Sequence, residues 1–251
     1  MGHGSAARAP LGDARRPNMV RPAVTWCAGF TVLALWLASP GLAARTETEP
    51  SVGRLPALRD EPLTQYRAYR RVHARTERFN QEASLEAWTE FDARGFRYQI
   101  VKEDGSEVIR TKVLRAVLQR EQELIASGEN LRAELTADNY EFQETAGTGR
   151  GERYVLLKPK RKDVLLVDGQ MVLSPDGRDL LRVEGRMSKN PSFWTSLVSI
   201  IRRYTRLDGV RVPISTESVA RVKFAGLSYL DARYEYYTIN GRPVSLSVQA
   251  R

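Results

Sequence analysis

The sequence predicts a mainly β chain of the α+β class, an antiparallel sheet carrying two helices. Three observations predict it. Apolar residues recur at period two over most of the second half. The turn pairs Asp168-Gly169, Asp208-Gly209 and Asn240-Gly241, together with Pro175-Asp176-Gly177, punctuate those runs. Strand follows strand without an intervening crossover helix, which excludes a parallel α/β sheet.

The elements follow in order. Pro62 suits a first helical turn, and Leu63, Tyr66, Arg70 and His73 recur at spacings of three and four, so a first helix is expected there. Arg67, Arg70, Arg71, Arg75 and Arg78 make that segment basic. From Leu85 the period becomes two. Leu85, Ala87, Thr89 and Phe91 alternate with Glu86, Trp88, Glu90 and Asp92, and Phe96, Tyr98 and Ile100 follow a turn at Arg94-Gly95. This pattern is a hairpin. Asp104-Gly105-Ser106 ends it, with Ser106 a reasonable helix cap.

Ile109, Val113, Leu114, Val117, Leu118, Glu121, Leu124 and Ile125 then repeat at three and four, and Gly128 closes the second helix. Tyr140 to Phe142, Tyr154 to Leu157, Val164 to Val167, Met171 to Leu173, Leu180 to Gly185, Thr195 to Leu207, Val210 to Phe224 and Tyr229 to Ile239 complete nine to eleven strands. Asp168-Gly169 is expected to turn a hairpin. Pro213 calls for an edge position or a bulge.

The chain has 251 residues, a net charge of +9, one Cys and two His. Arg15, Arg16 and Arg21 precede an uncharged stretch whose apolar centre is Ala23 to Ala38. Pro40-Gly41 and the small residues Leu42-Ala43-Ala44 follow. A basic flank, an apolar run and a small-residue exit describe a secretory signal cleaved near Ala43 to Arg45. The alternative is an uncleaved inner-membrane anchor, since the run approaches the roughly 18 residues needed to span a bilayer. Met19 is a plausible true start, and Cys27 lies too early for lipid attachment.

Residues 1–44 are therefore read as extension and signal, 45–60 as a linker and 61–251 as one domain in the periplasm. Four arginines and Asp13 leave with the signal, taking the charge from +9 to +6. His3 and Cys27 leave too, so the mature chain would hold His73 alone and no Cys. That excludes disulfides, Cys nucleophiles and Cys-based zinc sites. No nucleic acid partner and no cofactor are expected.

No motif points to catalysis. Gly147-Thr148-Gly149-Arg150-Gly151 lacks the Lys-Ser/Thr and helix of a phosphate loop and reads as a hairpin loop. His73 has no nucleophile beside it in the sequence, and Glu86, Glu90 and Asp92 read as a solvated strand face. Lys158, Lys160, Arg161 and Lys162 concentrate positive charge in one loop, either as edge protection or as contact with anionic headgroups or an acidic partner. Phe193-Trp194, after Pro191, either fill a core corner or stand at a cavity mouth.

A group of segments carries a family resemblance: Asn139-Tyr140-Glu141-Phe142, Tyr154-Val155-Leu156-Leu157-Lys158-Pro159-Lys160, Leu166-Val167-Asp168-Gly169, Val183-Glu184-Gly185, Pro191-Ser192-Phe193-Trp194 and Asp208-Gly209-Val210-Arg211-Val212-Pro213. In these, and in the helix, hairpin, helix and meander order, the chain from Leu63 to Ile239 resembles the bacterial outer-membrane lipoprotein-sorting proteins of the LolA/LolB-like group. The resemblance implies a strongly curved antiparallel sheet, an unclosed half-barrel with two helices on its concave face. It also implies a non-enzymatic, monomeric protein that holds an acylated lipoprotein or lipid in an apolar hollow.

The candidate lining residues are Trp88, Phe96, Tyr98, Tyr140, Phe142, Phe193, Trp194 and Tyr236, with Val113, Val117 and Leu118 on the helical side. The competing expectation is an envelope sensor or interaction module without cargo. A continuous apolar hollow would mark the first, a filled core with an apolar outer patch the second.

Overall fold

The computed structural model describes Met1 and residues 60–145 and 151–244. The expected signal, nearly all of the linker and residues 146–150 of the glycine-rich loop lie outside the described residues. Among the described residues eleven strands form one sheet: β1 Tyr66–Thr76, β2 Gln81–Asp92, β3 Gly95–Gly105, β4 Tyr140–Thr145, β5 Arg153–Pro159, β6 Val167–Leu173, β7 Leu180–Met187, β8 Thr195–Leu207, β9 Val210–Val222, β10 Gly226–Ile239 and β11 Arg242–Pro243. Their order is β3-β2-β1-β10-β9-β8-β7-β6-β5-β4, with β11 added to β10, and the paired neighbours run antiparallel. The sheet does not close, so the architecture is the expected unclosed half-barrel.

One helix, α1 (residues 107–127), connects β3 to β4. These strands are consecutive in sequence but sit at opposite edges of the sheet. The connection must therefore cross the opening. The stripe does the crossing: Ile109, Val113, Leu114, Val117, Leu118 and Leu124 are all buried. A π-turn at Arg110–Leu114 keeps Val113 and Leu114 on the buried side with Val117 and Leu118. Gly128 closes α1 at φ 72°, where a residue with a Cβ is disfavoured. Ser106 occupies the cap position, but its hydroxyl meets Gln81 Oε1 at 3.2 Å rather than the helix backbone.

Two expectations are corrected. The first helix is strand β1, so the sheet carries one main helix, not two. Ala68, Arg70, Val72, Ala74 and Thr76 face inward, while Arg67, Tyr69, Arg71, His73 and Arg75 face outward. An inward arginine broke the apolar alternation that would have signalled period two. The segment before it is extended and clasped by Asn240, whose Oδ1 accepts from the Thr64 and Gln65 N–H groups and whose Nδ2 donates to Pro62 O.

Asp168-Gly169 is not a turn but the middle of β6, with Gly169 directly opposite Gly185 of β7. A Cβ on Gly169 would collide with Glu184 O and the Gly185 Cα, so the glycine serves close strand approach. The other turn signals hold: Asp208-Gly209 and Asn240-Gly241 have φ of 48° and 82°, and 48° and 78°. Pro213 sits opposite the register shift between Arg203 and Tyr204, a bulge.

Two outcomes check this packing. Leu118→Asp places an unpartnered charge at a fully buried position and should cost several kcal/mol, whereas exposed Gln119→Asp should cost under about 1 kcal/mol. Gly169→Ala should destabilise by about 2 kcal/mol or more, because both contacting groups are backbone. Urea unfolding measures all three, and equal midpoints would refute the assignments.

Candidate functional site

The concave face under α1 collects most of the expected lining residues. Phe96, Val113, Val117, Leu118, Tyr140 and Tyr236 are buried in one apolar cluster, with Tyr98 and Phe142 half-buried against it. Strand geometry explains the convergence. Phe96 and Tyr98 are two apart on β3 and so share a face, their rings 6.2 Å apart. Tyr140 and Phe142 do the same on β4 at 6.0 Å. The Tyr140 hydroxyl accepts from the Val167 N–H at 3.0 Å, and the Tyr236 hydroxyl donates to Pro213 O at 3.0 Å. Burial pushes both phenols above their ordinary range.

Three expected lining residues are elsewhere. Trp88 lies on the outer face of β2, because Leu85, Ala87 and Thr89 take the inner positions. Its ring stands 5.1 Å from Tyr69 and 4.9 Å from Tyr237, with the Arg67 guanidinium 4.5 Å from its centroid. Phe193 and Trp194 fill no core corner: Phe193 is 84% exposed and Trp194 39%. They precede β8 at one end of the sheet, where chain reversal leaves their rings in solvent.

The sequence reading missed the polar centre of the site. Arg70 of β1 and Glu121 of α1 are 1% and 2% exposed and form a bidentate ion pair, the Nη1–Oε2 contact close and Nη2–Oε1 at 3.2 Å. The Arg70 guanidinium also faces Tyr234 at 4.6 Å and Phe96 at 5.5 Å. Burial alone would lower the Arg70 pKa, but Glu121 outweighs it and holds the arginine firmly charged. A second arginine, Arg202 of β8, is equally buried and faces Tyr204 at 5.5 Å. One signal was available: Glu121 stands three residues from both Leu118 and Leu124 on the apolar stripe, where a carboxylate needs a buried partner.

The basic loop divides. Lys158 is held by Asp168 at 3.1 Å. Arg161 is tied down although exposed, donating to Asn139 Oδ1 at 2.8 Å and Arg132 O at 3.1 Å and pairing with buried Asp163 at 3.3 Å. Lys160 and Lys162 remain exposed. His73 faces solvent 3.4 Å from Glu82. Glu86, Glu90 and Asp92 form a solvated face, bonded to Tyr69, Arg67, Arg94 and Arg97. Among the described residues no cluster of His, Cys, Asp or Glu could hold a metal, and no helix is long and apolar enough to cross a membrane.

No family model matches the chain, and no curated protein matches it. Among solved structures it is similar to a LolA superfamily protein from Nitrosomonas europaea, with a TM-score of 0.33 and 12% identity over 77% of this chain and 93% of that one. It is also similar to a DUF1329 family protein from Desulfovibrio piger, with a TM-score of 0.31 and 12% identity over 72% of this chain and 85% of that one.

Removing one member of the buried pair strands the other. Glu121→Leu and Arg70→Met should each cost about 3–5 kcal/mol, and the two combined should cost less than either single change; urea unfolding of the three variants decides it. Asp163 supplies a pH test. Burial works to raise its pKa, but the Leu165 N–H, Arg132 and Arg161 outweigh that and hold it below the usual carboxylate range. Its stabilisation is therefore complete above the unfolded value near about 4 and is lost as pH falls through the lower folded value. Asp163→Asn should flatten that acid limb in pH-dependent thermal unfolding.

Proposed function

We propose that this chain is a non-enzymatic periplasmic protein that binds the acyl part of a lipid or lipidated protein between the concave sheet face and α1, in the manner of outer-membrane lipoprotein sorting. The observation that carries this reading is the convergence of Phe96, Tyr98, Tyr140, Phe142 and Tyr236 with Val113, Val117 and Leu118 under a single helix. That helix crosses an opening no strand closes. Burial is worth about 0.8 kcal/mol per CH₂, so a sixteen-carbon chain offers roughly 12 kcal/mol before ordering costs. An acyl chain would take the surface that the α1 stripe now covers, so entry requires α1 to move and the Arg70–Glu121 pair to part.

The reading without cargo, a sensor or interaction module, is favoured by a different observation: the interior is filled, with the α1 stripe buried to a few per cent exposure or less. The two differ in saturable acyl binding. Under the proposal, Phe142→Glu or Tyr98→Glu abolishes binding of a fluorescent fatty acid while Lys160→Ala leaves it nearly intact. Native mass spectrometry of protein from a bacterial envelope should also show a lipid adduct. No saturable binding by the wild-type chain removes the cargo reading and leaves the interaction module.

A further inference from the structure

One end of the half-barrel gathers features that neither the core nor the cargo reading uses. The β1–β2 turn, the start of β8 and the β9–β10 turn meet there. Val222 pairs with Thr195 on one side and Gly226 on the other, and the Glu77 N–H donates to Leu227 O at 3.0 Å. Four large aromatics project from these segments, Phe79, Phe193, Trp194 and Phe224, and all four are exposed. Three of them form a contiguous cluster, Phe193 5.4 Å from Trp194 and Trp194 5.7 Å from Phe224.

Phe224 is held in the left-handed region at φ 71°, a conformation that glycine or asparagine adopts at less cost. A phenyl ring about half exposed at a strained turn adds little to the fold beyond its contact with Trp194.

Charge accompanies the rings. Lys223 Nζ lies 5.2 Å from the Phe193 centroid, 5.4 Å from Trp194 and 5.8 Å from Phe224. Arg78 of the β1–β2 turn, Lys189 of the β7–β8 loop and Arg221 near the end of β9 are also exposed. The β7–β8 loop also rests on the β5–β6 loop, the Ser188 N–H donating to Leu166 O at 2.8 Å and its hydroxyl to Asp163 O at 2.9 Å. That contact brings exposed Lys160 and Lys162 to the same end. Residues 158–162, 188–194 and 221–226 contain no Asp or Glu. The exposed carboxylates at this end are Glu77, which accepts from the Tyr229 hydroxyl, Glu82 at the start of β2, which faces His73, Asp104 at the end of β3, Glu107 at the start of α1 and Asp138 before β4.

Aromatic rings in contact with one lysine, with further exposed lysines at the same end, match the boundary of an anionic bilayer. There amphipathic and apolar rings sit at headgroup depth while ammonium groups meet phosphate. A protein hot spot would instead demand a concave, desolvated centre, whereas these rings project from turns. We propose that this end of the half-barrel docks on the surface of a membrane rich in anionic lipid, with Phe193, Trp194 and Phe224 entering the interface and Lys223, Lys189, Lys160 and Lys162 facing the headgroups.

The test uses the full chain with vesicles of phosphatidylcholine containing about one third phosphatidylglycerol, both brominated on their acyl chains. Tryptophan quenching is read against Trp194→Phe, so the difference reports residue 194 alone whatever the N-terminal apolar segment does. The proposal expects quenching at Trp194. It expects at least a tenfold weaker vesicle affinity for Phe193→Ser combined with Phe224→Asn, a turn-compatible pair that should leave the urea midpoint unchanged or higher. Lys223→Ala should weaken binding about fivefold on anionic vesicles, the value of one basic residue at such a surface, and little on neutral ones.

Bound protein with Trp194 unquenched, or equal affinity in the double variant, overturns the proposal and leaves an acidic protein partner as the occupant. The inference does not rest on the cargo reading. Phe142→Glu, which abolishes acyl binding there, should leave Trp194 quenching unchanged.

Discussion

The crossing between the two sheet edges is the constraint on which the rest of this structure depends. β3 and β4 follow one another in sequence yet lie at opposite ends of a ten-strand path. The residues joining them must span the concave side, and a backbone crossing an apolar surface must satisfy its own hydrogen bonds. A helix does so. Its stripe then covers the inner sheet face, and Arg70 with Glu121 ties its middle to β1. The far end is tied separately: Leu124 packs on Leu165, and Arg132 and Arg161 converge on Asp163.

The two ties differ in kind. The Arg70–Glu121 pair is dry, so its attraction is strong, but desolvation of both charges offsets much of it. Such a pair does less for stability than for position: it admits one register of helix on sheet, because any other strands two charges. The apolar stripe fixes which face of α1 meets the sheet but is more permissive along the axis, since a slide of one turn would still bury aliphatic groups. On the outer face the opposite holds. Arg67–Glu90, Arg71–Glu235 and Arg203–Glu217 are water-exposed pairs, each worth about 1 kcal/mol or less, that keep the convex surface charged.

The division of apolar groups bears on function. Aromatics that pack under α1 would serve an acyl chain only when the helix yields, whereas those at the turn end face solvent in this state. Under the two proposals both surfaces would meet lipid. A surface that rests on headgroups and an interior that accepts a chain would act in sequence, the first bringing the second to its source.

The sequence by itself determined the class of the fold. Period-two alternation marked β2, β3 and the long strands of the second half, and Asp208-Gly209 and Asn240-Gly241 marked turns, because local backbone preference decides those features. The stripe from Ile109 to Leu124 identified α1 for the same reason. What failed was wherever a distant partner made the decision. Arg70 reads as a surface residue until Glu121 is brought to it, so β1 reads as a helix. Asp168-Gly169 reads as a turn until Gly185 arrives opposite, and no local pattern records that approach. Trp88, Phe193 and Trp194 read as lining aromatics by type alone, and only the sheet's two faces and its free end assign Trp88 to the outer face and the other two to the exposed end. Side-chain identity states what a residue can bury; tertiary structure decides whether a neighbour comes close enough to bury it.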